Sequence, residues 1–242
     1  MRRLATGCAA AWFLCGVLTA YASGLQVAPT SLALIPQQNA DGLWLSNTGA
    51  APLHAQVRVF LWTQEGGEER LTASRDLVVS PPLIELAAGA RQLVRVIRTR
   101  PAAPDREDAY RLLVDELPLP DPAAEARRGL QFVLRYSVPV FLAPAGAAPQ
   151  LQGRLVDEGG RRLLMVANRG ALHAQLGNLA RIDAQGRRTE LVPGLLGYVL
   201  AGSTMRWPLP ADAPVAAAGD RLLSRINGAP DEQTVAIAGV SP

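Results

Sequence analysis

The chain of 242 residues contains no lysine, so its 24 basic residues are all arginine. That removes Walker-type phosphate loops and lysine Schiff-base chemistry together. Its two cysteines, Cys8 and Cys15, both lie near the N-terminus. The rest of the chain therefore has no disulfide and is held by its cores. The two histidines, His54 and His173, have no nearby pair of ligating side chains at a useful spacing. No Gly-x-Ser-x-Gly elbow and no phosphate-cradling loop occur, and catalysis is the weakest reading. Aromatic residues make up 5% of the chain, which leaves few rings for stacking on sugars. The formal charge is +3, two of it from Arg2 and Arg3, so the remaining chain is close to neutral and is not expected to bind nucleic acid.

Long apolar runs are also missing, with one exception at the start. Arg2 and Arg3 precede an apolar stretch over residues 4–20, and Ala20, Tyr21 and Ala22 follow in a small-x-small pattern. This predicts a cleaved export signal over residues 1–22. A retained anchor is the alternative, but the run is short for a spanning helix. Neither cysteine sits in a good lipobox. Roughly 220 residues remain, enough for one large or two ordinary domains.

What is present reads as β-structure. Alternating apolar and polar residues recur at 43–46, 55–62, 92–98 and 110–114, divided by Asn, Gly and Pro turn signals. Helical periodicity appears nowhere over a convincing length. The uncharged, proline-bearing stretch 143–149 reads as a linker. It separates parts of about 120 and 95 residues, each near the size of a seven-stranded sandwich. Both parts carry the same signature. Asn47, Thr48 and Gly49 lead into Leu53, His54, Ala55 and Gln56, while Asn168, Arg169 and Gly170 lead into Leu172, His173, Ala174 and Gln175. The repeat suggests two related sandwiches in tandem. The acidic residues Asp105, Glu107 and Asp108, and the pair Asp115 and Glu116, read as solvated loop charge.

The most informative stretch is 130–136, read as a long strand with Leu130, Phe132, Leu134 and Tyr136 on one face. An arginine-rich polar loop precedes it. Such a strand can lend apolar side chains and backbone hydrogen bonds to another protein. The competing reading is that these side chains complete the chain's own core.

The order of motifs resembles the PapD-like periplasmic pilus chaperones. It runs through residues 27–34, the turn at 45–49, residues 80–96, Asp105 to Glu107, residues 110–112, 115–118, and the strand from 130 to 144. The stretch 197–203 and Trp207, Pro208 and Leu209 are similar to members that serve spore-coat-like, non-standard pili. The resemblance implies an all-β chain of two immunoglobulin-like β-sandwich domains in a boomerang arrangement, over 23–144 and 145–242. It implies a periplasmic chaperone without cofactor or ATP. Its partners would be pilus subunits and an outer-membrane usher, with no stable membrane insertion. A subunit is a sandwich lacking its last strand, and the chaperone supplies its own G1 strand. Leu130, Phe132 and Leu134 would fill successive groove sites, with Tyr136 a weaker fourth.

Two departures stand out. The family anchors the subunit's terminal carboxylate with an arginine on the first strand and a lysine on G1. Here Ser31 and Pro139 occupy those positions. Arg135, on G1 with the parity of position 139, is the favoured substitute, and an ordinary solvated arginine is the alternative. Arg58 and Arg95 rank below it, and Arg95 reads as structural. Glu107 matches the acidic member of the family's interdomain salt bridge, but Ala143 stands where its arginine is expected. The alternative function is an exported β-sandwich that binds a carbohydrate or a surface protein.

Overall fold

The computed structural model describes residues 24–101, 105–118, 132–211, 213 and 219–237. Strands form where the sequence alternates. The first ten are β1 (Leu25–Ala28), β2 (Leu32–Leu34), β3 (Ala40–Asn47), β4 (Leu53–Glu65), β5 (Glu68–Ala73), β6 (Leu77–Ser80), β7 (Leu83–Leu86), β8 (Arg91–Arg98), β9 (Asp108–Leu117) and β10 (Arg135–Leu142). They make two sheets, ordered β1-β3-β8-β6 and β2-β10-β9-β4-β5, with β7 also pairing β4. Leu43 and Leu45 on β3, Val94 and Val96 on β8, and Leu112 and Val114 on β9 are buried between the sheets. Trp44 and Arg95, the residues between them, are exposed. Each such buried aliphatic side chain contributes roughly 1.5–3 kcal/mol relative to exposure.

The other seven strands are β11 (Leu151–Glu158), β12 (Arg161–Asn168), β13 (Ala174–Ile182), β14 (Arg188–Val199), β15 (Thr204–Pro208), β16 (Arg221–Ile226) and β17 (Glu232–Ile237). They follow the path β14-β13-β16-β17-β11-β12-β15, antiparallel except where β11 runs parallel to β17. Leu164, Val166, Leu176, Val199, Leu222 and Val235 fill this second core. Both halves are immunoglobulin-like sandwiches, and no helix occurs among the described residues.

The repeated Asn-x-Gly signature has the same physical role in each half. Asn47 Nδ2 donates to the carbonyls of Ala51 and Leu86 at 2.8 and 3.1 Å, and its Oδ1 accepts from Gly49 N at 2.9 Å. Asn168 Nδ2 donates to Leu172 and Val199 at 2.7 and 3.1 Å, and its Oδ1 accepts from Gly170 N at 3.0 Å. Both side chains are buried. One amide closes the turn with its oxygen and donates to two carbonyls with its nitrogen, one of them on a distant strand; Asp brings no donor and Ser only one.

The β4–β5 hairpin reaches from the first sandwich to the second. Gly66 and Gly67 both take positive φ, 64° and 84°, which a tight two-residue hairpin demands. Gly67 bridges Met205 on β15, and Arg206 Nη2 donates to the Gly66 carbonyl at 3.2 Å.

Candidate functional site

Strand β10 carries the site. Along one side it pairs with β9 from Arg135 to Leu142. Along the other, β2 covers only Val140, Phe141 and Leu142. Among the described residues, positions 135–139 thus form an open sheet edge. The ladder to β9 begins at Leu134, whose carbonyl accepts from Glu116 N at 2.9 Å while its N–H donates to Glu116 Oε2 at 3.1 Å. Antiparallel pairing alternates, so Arg135 and Ser137 point their backbone N–H groups to the open side. Pro139 sits at the inner end of this edge and has no N–H to offer.

The long strand expected from 130 begins instead at Arg135. Alternation continues through 130–136, but the β9–β10 ladder stops at Arg135 opposite Asp115, while β9 runs on through Glu116 and Leu117 against β4. Leu130 and Gln131 lie outside the described residues. Phe132 and Val133 are 61% and 49% exposed. Leu134 and Tyr136 are half-buried against the first core, and Tyr136 Oη donates to the Leu25 carbonyl at 2.6 Å. The apolar side chains of this stretch are therefore graded, from Phe132 in solvent to Tyr136 held at home.

The outer face of β10 and β9 meets the second sandwich. Phe141 stacks on His173 with ring centroids 3.6 Å apart, and Trp62 lies edge-on to Tyr198 at 5.3 Å. Glu107, its carboxylate almost wholly buried, accepts from His173 N and contacts His173 Nδ1, each at 2.8 Å. Glu107 thus pairs with His173 across the two sandwiches. The reading of Glu107 as solvated charge is corrected here. Gln64 adds a second clasp: its Nε2 donates to the Tyr198 carbonyl at 2.9 Å and its Oε1 accepts from Leu200 N at 2.8 Å. His54, the other copy, only approaches Glu85 at 3.6 Å on the surface.

Arg111 is the basic residue that sequence reasoning missed. It faces Pro139 across the β9–β10 ladder, on the face that looks toward the second sandwich. Its guanidinium lies 3.6 Å from the Trp62 ring centroid and 5.2 Å from that of Tyr198. Its side chain is 12% exposed, and its one carboxylate among the described residues is Glu69 at 4.0 Å. Burial lowers its pKa, with Glu69 and Tyr198 acting in the opposite direction. Nothing in the local sequence marks it, because only strand register brings it beside position 139.

Arg135 is committed elsewhere. Its Nε bonds Asp115 Oδ1, and Arg58 Nη2 bonds Asp115 Oδ2 at 2.6 Å. Asp115, read as loop charge, is in fact buried near the end of β9. Burial alone would raise its pKa, but hydrogen bonds from Arg58 and Arg135 outweigh burial and hold the carboxyl below its usual range. Ser31 is exposed between β1 and β2, and Pro139 is buried. Arg95 is exposed on the far sheet and pairs with no carboxylate among the described residues. No cluster of metal ligands occurs among the described residues, and no described helix is long and apolar enough to cross a membrane.

With this geometry in place, comparison with known proteins is decisive. The sequence profile of the pili and flagellar-assembly chaperones, PapD N-terminal domain, matches residues 24–148. The chain belongs to this chaperone family. Chaperone protein LpfB of Salmonella typhimurium is 28% identical over 170 residues, covering 62% of this chain and 69% of LpfB. The fold is similar to that of the archaic CsuC-CsuE chaperone-tip adhesion subunit pre-assembly complex of Acinetobacter baumannii. That match has a TM-score of 0.69 and 24% identity, over 88% of this chain and 97% of the other. It is also similar to the Salmonella enterica SafA pilin in complex with the SafB chaperone, with a TM-score of 0.59 and 17% identity over 89% and 95%. Members of the family are chaperones rather than enzymes, and pilus chaperones of this family are periplasmic.

Proposed function

We propose that this chaperone captures pilus subunits by adding the edge of β10, with the segment before it, to a subunit that lacks its last strand. It then passes them to an outer-membrane usher. The open edge at 135–139, continuous with the exposed Phe132, is the observation that carries this reading. An exposed edge next to a large exposed apolar side chain is an aggregation hazard unless it has a use. Family membership and likeness to chaperones solved with pilins support that use.

Within this reading Leu130 and Phe132 are lent outright. Leu134 is shared between the two proteins, and Tyr136 contributes least because its hydroxyl is tied to Leu25. A fully buried Leu or Phe contributes roughly 1.5–3 kcal/mol, less the cost of ordering the segment. The subunit's terminal carboxylate is received by Arg111 in place of Arg135. Arg111 has a desolvated guanidinium, has only a distant carboxylate partner, and lies beside the position of the family's lysine. Arg135 is already bonded to Asp115. The export signal at 1–22 delivers the chain to the periplasm, and the two sandwich domains span 23–144 and 145–242.

Co-expression with a pilus subunit tests the proposal. The wild type copurifies with the subunit, and the double variant Phe132→Asp, Leu134→Asp loses it while keeping its β-sheet circular dichroism. Equal recovery of the subunit by the folded double variant would exclude donation from this edge.

A further inference from the structure

The place where β10 stops belonging to its own sheet is marked by charge. Asp115 on β9 stands directly opposite Arg135, the first residue of β10. Arg58 reaches the same carboxylate from β4, the strand on the other side of β9. Three neighbouring strands are thus tied through one carboxylate, one residue short of Leu134. Beyond it Leu134 exchanges two hydrogen bonds with Glu116 and packs half-buried against the first core, and then Val133 and Phe132 stand in solvent. A depression of 420 Å³ lined by Arg58, Asp115, Glu116, Val133, Leu134 and Arg135 lies over this corner.

Cohesion alone is a poor reason for such a cluster. Arg135 and Arg58 are 65% and 42% exposed, so the pairs are screened by water. An apolar pair across β9 and β10 would hold the strands as well. What an apolar pair would not do is fix direction. A carboxylate gripped from two sides by planar guanidiniums sets the path of the backbone that carries them.

We infer that Asp115 is a positioning residue for strand donation, bracing the end of the ladder through Arg58 and Arg135 so that residues 132–134 leave the sheet extended and in register. This rests on the strand-donation reading above. The brace lowers the ordering cost of capture, because the segment is held near its bound form before the subunit arrives. It acts through Arg135 and does not touch the subunit.

The test uses the full chaperone and one purified pilus subunit. Backbone amide exchange is read in the free protein, and the capture rate is read as the subunit is diluted out of denaturant. In Asp115→Asn, exchange at Leu134 and Tyr136, whose N–H groups face β9, rises about tenfold and capture slows by a similar factor, the size expected when charged hydrogen bonds are lost. Exchange in the β3 and β8 core stays as in the wild type, which a general loss of structure would not allow. Asp115→Glu restores most of both. Should Asp115→Asn fail to fold, Arg135→Gln decides, because it cuts the β10 arm and leaves Asp115 on Arg58. Wild-type exchange and capture in whichever of these variants folds would overturn the brace. If the Phe132→Asp, Leu134→Asp variant loses capture at the same time, donation itself survives. If that variant captures normally, donation fails and the brace with it.

Discussion

Replacing Glu107 by alanine removes the carboxylate that holds His173. The carboxylate is 1% exposed and the imidazole 15%, so water screens the pair little. Two contacts vanish, from His173 N and from Nδ1, both at 2.8 Å. The His173 N–H, half-buried, then loses its acceptor. Removing one partner of a buried pair costs roughly 3–5 kcal/mol. For a chain of this size each kcal/mol moves the midpoint by about 2–4 °C, so the melting temperature falls by roughly 6–20 °C. Glu107→Gln keeps an acceptor for the backbone N–H, and its loss is smaller, about 1 kcal/mol. Differential scanning calorimetry reads both variants, and small-angle scattering reports whether the two sandwiches keep their mutual orientation. An alanine variant that melts within about 2 °C of the wild type would show that the pair is not holding the junction.

Three further outcomes are expected. Arg111→Ala weakens subunit capture about 10- to 100-fold in Kd, as loss of a charge-assisted contact requires, and Arg111→Lys recovers part of it; unchanged affinity in a titration would remove Arg111 as the anchor. Tyr110 is pushed up to about 12, chiefly by burial, against an ordinary value of 10.0. A raised phenol favours the fold in its neutral form, so its contribution is complete below pH 10 and is lost as pH rises toward 12. Phenolate absorbance appearing at the ordinary pH while the sheet signal persists would contradict this. Asn168→Ala strands the Leu172 and Val199 carbonyls and lowers stability by about 1–3 kcal/mol in urea denaturation, where Asn168→Asp does no better because it brings no donor.

Much of the fold was legible because burial in a sandwich has period two. Leu43 and Leu45 flank Trp44, and Val94 and Val96 flank Arg95, and in each case the sequence alternation is the face alternation. The repeated Asn-x-Gly was legible for a local reason, since the turn and its amide lie together in sequence. The site was less so. Alternation through Leu130, Phe132, Leu134 and Tyr136 says which side chains share a face but not where the ladder stops. That point is where β10 parts from β9, opposite Asp115, while β9 itself continues to Leu117. Glu107 and His173 are 66 positions apart, and nothing around either names the other. Asp115 read as loop charge because a buried carboxylate is recognised only by its partners, and those lie on β4 and β10.

Strand donation is tested most directly by amide exchange at Arg135 and Ser137, whose N–H groups face the open edge of β10. In the free chaperone they exchange quickly, and on binding a pilus subunit they become protected together with residues 132–134. Exchange at these amides that stays equally fast in the purified complex would contradict the addition of this edge to the subunit.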